Sequence, residues 1–107
     1  MGPPVDIYET DEVLILTAEL PGLRQEDIGI ELKDQMLTIR GERKPDSSVR
    51  EDQYHRRERA YGGFQRSFLL PATVDSDKVT AAYRDGVLEL RLPKVEAAKP
   101  KRIAISS

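Results

Sequence analysis

Apolar residues in this chain recur at every second position, and no stretch of ten or more residues shows a convincing 3.6-residue period. Successive side chains of an extended backbone point to opposite faces, so this alternation builds strands rather than helices. DIGIELK (27–33) puts Ile28, Ile30 and Leu32 on one face. GVLELRL (86–92) does the same with Leu88, Leu90 and Leu92, leaving Glu89 and Arg91 opposite. MLTIRGE (36–42) and FQRSFLL (64–70) read alike, and VDIYE (5–9) and KVTAAYR (78–84) are shorter candidates. EVLILTAEL (12–20) is apolar on both faces, which predicts a central strand or one covered by a partner. Turn residues separate these segments: Pro21-Gly22, Asp34-Gln35 and Asp85-Gly86. The last is a type I′ hairpin signal joining 78–84 to 86–92. Pro71 and Pro93 stop their strands. Seven or so short strands at this spacing predict an all-β sandwich.

Two segments fall outside the alternation. KPDSSVREDQ (44–53) holds one apolar residue and reads as a long loop, a feature usually functional or disordered in small domains. PKVEAAKPK (93–101) reads as a flexible linker. At 107 residues the chain is one domain, large enough to bury a core without staples. It has no cysteine, which excludes disulfides, thiolate catalysis and Cys-type zinc sites. No apolar run is long enough to span a bilayer, so no membrane partner is expected. MGPPVD lacks the basic and apolar regions of a secretory signal, and the expected location is cytoplasmic.

Catalytic chemistry finds little to work with. His55 is the one histidine and lies beside Arg56 and Arg57, where a general base or metal ligand would want carboxylate or imidazole partners. There is no GxSxG nucleophile elbow, no phosphate-cradling glycine loop and no EF-hand spacing around Asp75-Ser76-Asp77, which reads as a turn with capping carboxylates. The chain is therefore not expected to be an enzyme, and no cofactor or metal is expected. HRRERAYGGFQRSF (55–68) mixes arginines with aromatics and superficially resembles an RNA-binding strand, yet Ala60 and Gly63 fall where that pattern needs Gly and an aromatic. With a net charge of −2 there is no counterion-release drive, and no nucleic-acid partner is expected.

Two features ask for partners. Arg66 alternates with Phe64, Phe68 and Leu70, so its guanidinium falls on an apolar face and needs a carboxylate or backbone carbonyls, unless a local twist lets it reach water. Ile103 and Ile105, one residue apart in the polar tail KPKRIAISS (99–107), form two apolar pegs on one side of an extended segment. Pro100 and the neighbouring Lys, Arg and Ser offer nothing local to bury them. The pegs predict matching holes, here or on another chain.

AAYRDGVLELRLPK (81–94) resembles the A-x-x-x-D/N-G-V-L signature of small heat-shock proteins. AELPGLRQEDIGIEL, LTIRGER, RAYGGFQRSFLLP and the terminal Ile103-Ala104-Ile105 resemble the same family in the same order, from about Val5 to Ile105. With the long 41–57 segment present, the layout is similar to bacterial, archaeal and plant members. The resemblance implies an α-crystallin domain over 5–94, an immunoglobulin-like β-sandwich, followed by a C-terminal extension over 95–107. Residues 1–4 read as a remnant of the N-terminal arm that family members carry. It implies an ATP-independent holdase that binds unfolding client proteins. A strand in the 44–57 loop would cross to a partner's first strand near 5–10, giving a homodimer by exchange. The I-x-I tail would dock between the strands at 27–33 and 78–84 of a neighbour, building higher oligomers. Carried across residue by residue, the docking groove is Ile30, Leu32, Val79 and Ala81, the tail anchor is Ile103 and Ile105, and Arg66 falls on the family's structural arginine. The alternative is an adaptor on a CS-type sandwich binding one folded partner, against which the isoleucine pair and the loop speak.

Overall fold

In the computed structural model, which describes residues 2–107, seven strands form two antiparallel sheets. They are β1 (Val5–Glu9), β2 (Val13–Glu19), β3 (Ile28–Lys33), β4 (Met36–Arg43), β5 (Gly62–Leu69), β6 (Thr80–Arg84) and β7 (Val87–Pro93). One sheet has the order β1-β2-β7-β6 and the other β3-β4-β5. The all-β sandwich expected from the alternation is what forms, because every apolar row has a facing row to bury against. Leu14, Leu16 and Ala18 of β2 pair with Leu92, Leu90 and Leu88 of β7, and all six are buried. Leu37 and Ile39 of β4 close the core from the other sheet, with Leu20 and Leu70 at its ends.

The doubly apolar segment is a central strand: β2 lies between β1 and β7. Its outward Ile15 is only 2% exposed, sitting between Tyr8 of β1 and Arg91 of β7 in the register. The β6–β7 hairpin turns at Asp85 and Gly86 with φ of 53° and 78°, the positive pair that a type I′ turn demands. Gly41 is needed for a close approach. A Cβ there would meet the ring of Phe64, its cross-strand partner, at 2.5 Å.

Short 3₁₀ turns shift two boundaries. Gln25–Asp27 precedes β3, so that strand begins at Ile28. Ser76–Lys78 precedes β6, where the Asp75 carboxylate accepts from the Asp77 backbone N–H as an N-cap. The larger difference concerns 93–101, which is no free linker up to its end. Val74 and Lys94 form a β-bridge, Val95 N–H donates to the Thr73 carbonyl, and Glu96–Ala98 makes a 3₁₀ turn. Lys94 is 6% exposed and its ammonium pairs with Glu9. Lys99 Nζ reaches Glu12 at 3.0 Å and Glu96 at 2.8 Å. From Pro100 onward every residue is exposed. The radius of gyration, 18.7 Å, exceeds the about 13 Å of a compact chain this size, so part of the chain lies off the sandwich.

Candidate functional site

A two-sheet sandwich has two open sides, each flanked by an edge strand from either sheet. On one side β6 faces β3. Ile28, Ile30 and Leu32 point inward from β3, across from Gly41, Ile39 and Leu37 of β4. Ala81 and Tyr83 point inward from β6, across from Leu90 and Leu88. Between the two edges lies a cleft of about 190 Å³ lined by Ile28, Ile30, Ala81, Ala82, Tyr83 and the floor residue Leu88, with Gln25 as a further, polar lining residue. The Tyr83 hydroxyl bonds to the carbonyls of Leu20 and Leu23, which fixes the ring as one wall. Ile30 is 39% exposed, an apolar side chain left at a rim. The cleft has no charged lining, so it can take apolar side chains from an extended segment and has no group for acid–base work.

Of the four residues the sequence assigned to a groove, Ile30 and Ala81 line this cleft. Leu32 and Val79 lie farther along the same rows, packed against the core. Ile28 and Tyr83 were missed, although they sit two residues from Ile30 and Ala81, and extending each row by one step would have found them. The two pegs stand in solvent: Ile103 is 86% exposed and Ile105 98%. Their root is fixed by Lys99. Hydrogen bonds that the Lys99 ammonium donates to Glu96 and then to Glu12 raise its pKa, while Lys99 holds the Glu96 carboxyl below its ordinary value. An extended chain from that root carries Ile103 within ~14 Å and Ile105 within ~22 Å.

On the opposite side β1 faces β5, and Arg66 lies there between Phe64 and Phe68 on the inward row of β5. It is half-buried. Its guanidinium donates to the Pro3 carbonyl at 2.9 Å and stacks on the Phe68 ring at 4.9 Å. Among the described residues it has no carboxylate partner. The loop from 44 to 61 carries a single 3₁₀ turn at Glu51–Gln53 and no strand of its own. The Arg57 guanidinium sits between the rings of Tyr54 and Tyr61, 4.7 and 5.0 Å from their centroids. A strand needs a neighbour to pair with, and β1 leaves one edge unpaired. His55 is exposed, and no group of three His, Asp or Glu side chains among the described residues could hold a metal. No helix among those residues is long and apolar enough to cross a membrane.

The pattern of the Hsp20/alpha crystallin family matches residues 6–106. The chain belongs to that family. Among curated relatives, small heat shock protein C2 of Rickettsia felis is 42% identical over 103 residues, 96% of this chain and 67% of that protein. The 18.1 kDa class I heat shock protein of Medicago sativa is 43% identical, covering 96% and 74%. The chain thus spans about two thirds of the length of the curated relatives it matches. Among solved structures, heat shock protein 16.0 of Schizosaccharomyces pombe superposes with a TM-score of 0.82 at 33% identity, covering 99% of both chains. A small heat-shock protein of Xylella fastidiosa gives 0.79 at 40% identity, covering 100% and 98%. The Hsp20/alpha crystallin assignment agrees with the two-sheet sandwich observed here, whose all-β character the alternation predicted and whose immunoglobulin-like form the family resemblance implied.

Proposed function

We propose that this chain is an ATP-independent chaperone of the holdase kind, binding apolar segments of unfolding proteins and limiting their aggregation. One observation carries the reading. An open apolar cleft lies between two edge strands of a chain that also holds two isoleucines out in solvent. Edge strands accept extended segments through main-chain hydrogen bonds, with side-chain pockets adding selectivity. Such binding needs no nucleotide, and membership of the family implies the chaperone role.

Assembly follows the same logic. The tail of one chain docks Ile103 and Ile105 into the Ile30–Ala81 cleft of a neighbour, with Leu32 and Val79 continuing its wall. The 44–57 loop extends to pair with the free edge of β1 on a partner chain, giving an exchanged homodimer. Asp6 and Asp11, on and beside β1, make no ion pair within their own chain among the described residues, which suits the arginine-rich loop. The Xylella fastidiosa relative adopts a distinct high order structure, and tail docking supplies a route to one here.

The test is suppression of aggregation of a heat-stressed client at near-stoichiometric ratio, with and without ATP. Suppression that ATP leaves unchanged is expected; a requirement for ATP refutes the holdase reading. Deleting 46–53 should convert dimer to monomer by sedimentation while β-type circular dichroism persists. A deletion variant that stays dimeric refutes loop exchange.

A further inference from the structure

The segment that leaves β7 toward the tail is fixed to the sandwich at two levels. The inner level is built in. Lys94 is 6% exposed with its ammonium on Glu9, its backbone N–H donates to the Glu12 carbonyl at 2.9 Å, and the Val95 N–H donates to Thr73 at 3.1 Å. Separating a buried cation from its carboxylate is costly, so this level opens only with the fold. The outer level is weaker. Glu96–Ala98 makes one 3₁₀ turn, closed by the Ala98 and Lys99 N–H groups donating to the Val95 and Glu96 carbonyls. So short a turn does not persist on backbone bonds alone. Lys99 supplies the rest. Its ammonium lies between Glu96 of that turn, at 2.8 Å, and Glu12 of the β1–β2 turn, at 3.0 Å. A pair three residues apart would by itself be a solvated surface contact. The second carboxylate, however, comes from the far end of the chain, and the Lys99 side chain is only 22% exposed. Lys101 and Arg102, by contrast, are exposed and make no ion pair among the described residues. Pro100 has no N–H with which to extend the turn, and every residue from there on is exposed.

We propose that Lys99 is a positioning residue, a latch that sets the tether length of the isoleucine pegs by tying the root of the tail to Glu12. Closed, it leaves Ile103 four residues from a fixed root, a reach of ~14 Å. Open, the root retreats to Val95, eight residues from Ile103, and the reach becomes ~28 Å. The proposal rests on the tail-docking reading and adds to it the residue that decides how far away a docked neighbour stands. A longer tether spreads the pegs through a larger volume. Effective concentration falls roughly as the −3/2 power of tether length, so doubling the length weakens docking about threefold. It also admits neighbours at more positions, which widens the range of assemblies. Because Glu12 and Glu96 are exposed, salt screens the latch while the buried Lys94 contact holds.

The chain has no cysteine, so Arg102→Cys with Glu89→Cys, both exposed, takes two spin labels and no others. Their separation is read by double electron–electron resonance, with labelled chain diluted into unlabelled chain so that only pairs within one chain report. A narrow distribution is expected. Lys99→Met and Glu12→Ala should each at least double its width, and the two together should do no more than either alone, because they break one contact. Lys99→Arg should keep the distribution narrow, Lys101→Gln should change nothing, and about 1 M salt should reproduce Lys99→Met. In unlabelled protein, Lys99→Met should raise about threefold the concentration at which species beyond the dimer appear in light scattering, and should broaden their sizes. A wide distribution in the parent chain or an unaffected Lys99→Met would overturn the latch. So would association that is lost in Ile103→Ala with Ile105→Ala yet ignores Lys99→Met. Association that survives loss of both isoleucines would instead sink the docking reading, and with it the latch's part in assembly.

Discussion

Replacing Arg66 with alanine tests how a charge on an apolar face is accommodated. A guanidinium whose buried carboxylate partner is left unpaired would cost about 3–5 kcal/mol on removal, and one reaching water no more than about 0.5. The geometry lies between these limits. A hydrogen bond from a charged donor is worth about 1.5–3 kcal/mol net, and the half-buried site with a hydratable Pro3 carbonyl puts this one at the low end. The contact with the Phe68 ring at 4.9 Å adds about 0.5–1. The expected loss is about 2 kcal/mol. With a urea slope of ~1.5 kcal/mol per molar, the midpoint of denaturation falls by roughly 1.3 M. Arg66→Lys keeps the charge but loses the planar fork, so it should recover only part of that. The measurement is made at one protein concentration, because association would shift the midpoint. A loss of 3 kcal/mol or more would mean that a carboxylate reaches Arg66 in the assembled protein. A loss under 0.5 would mean that the Pro3 contact does not hold the side chain.

Ile103→Ala with Ile105→Ala should leave the thermal midpoint nearly unchanged in dilute protein, where both side chains are in solvent, and should abolish association beyond the dimer in a light-scattering series at high concentration. Full burial of both isoleucines yields roughly 3–6 kcal/mol gross. Association costs about 4 or more, so the two side chains leave at most about 2 kcal/mol, a single docked tail binds no tighter than roughly 30 mM unless main-chain hydrogen bonds add to it, and a variant that still forms larger species sinks the docking scheme. Gly41→Ala should destabilise by about 1–3 kcal/mol in urea, because its methyl would sit 2.5 Å from the Phe64 ring; an unchanged midpoint would mean that the ring has room to move. The Glu96 carboxyl, followed by its side-chain carbon shift, should titrate below the ordinary 4.5 because Lys99 bonds the charged form. That contribution is present above pH 4.5 and lost as pH falls through the lowered value; on the basic side the Lys99 contribution is lost only as pH rises through its raised value, above 10.5. In Lys99→Met the Glu96 midpoint should return toward 4.5, and an unmoved midpoint would show that the pair does not form.

The strands were legible from the chain because alternation is a local property of extended backbone: the pleat alone decides which side chains share a face. The same locality explains Asp85-Gly86, where φ values of 53° and 78° follow from the two residues themselves. It also explains why the family signature could be read from short ordered motifs. Contacts across the fold were another matter. Arg66 was marked as needing a partner, yet the carbonyl it uses lies 63 residues away at Pro3, in a segment with no pattern of its own. The polar run 93–101 looked like free linker because lysines and alanines carry no period. It is held at Lys94 and Lys99 by Glu9 and Glu12, two carboxylates flanking the first hairpin turn. Sequence fixed which residues could face inward; only the stacking of the sheets set β3 beside β6 and opened a cleft between Ile30 and Ala81. The physical reason is the range of the forces. Backbone sterics and side-chain alternation act over two or three residues, whereas burial and charge pairing act between whatever the folded chain brings within a few ångströms.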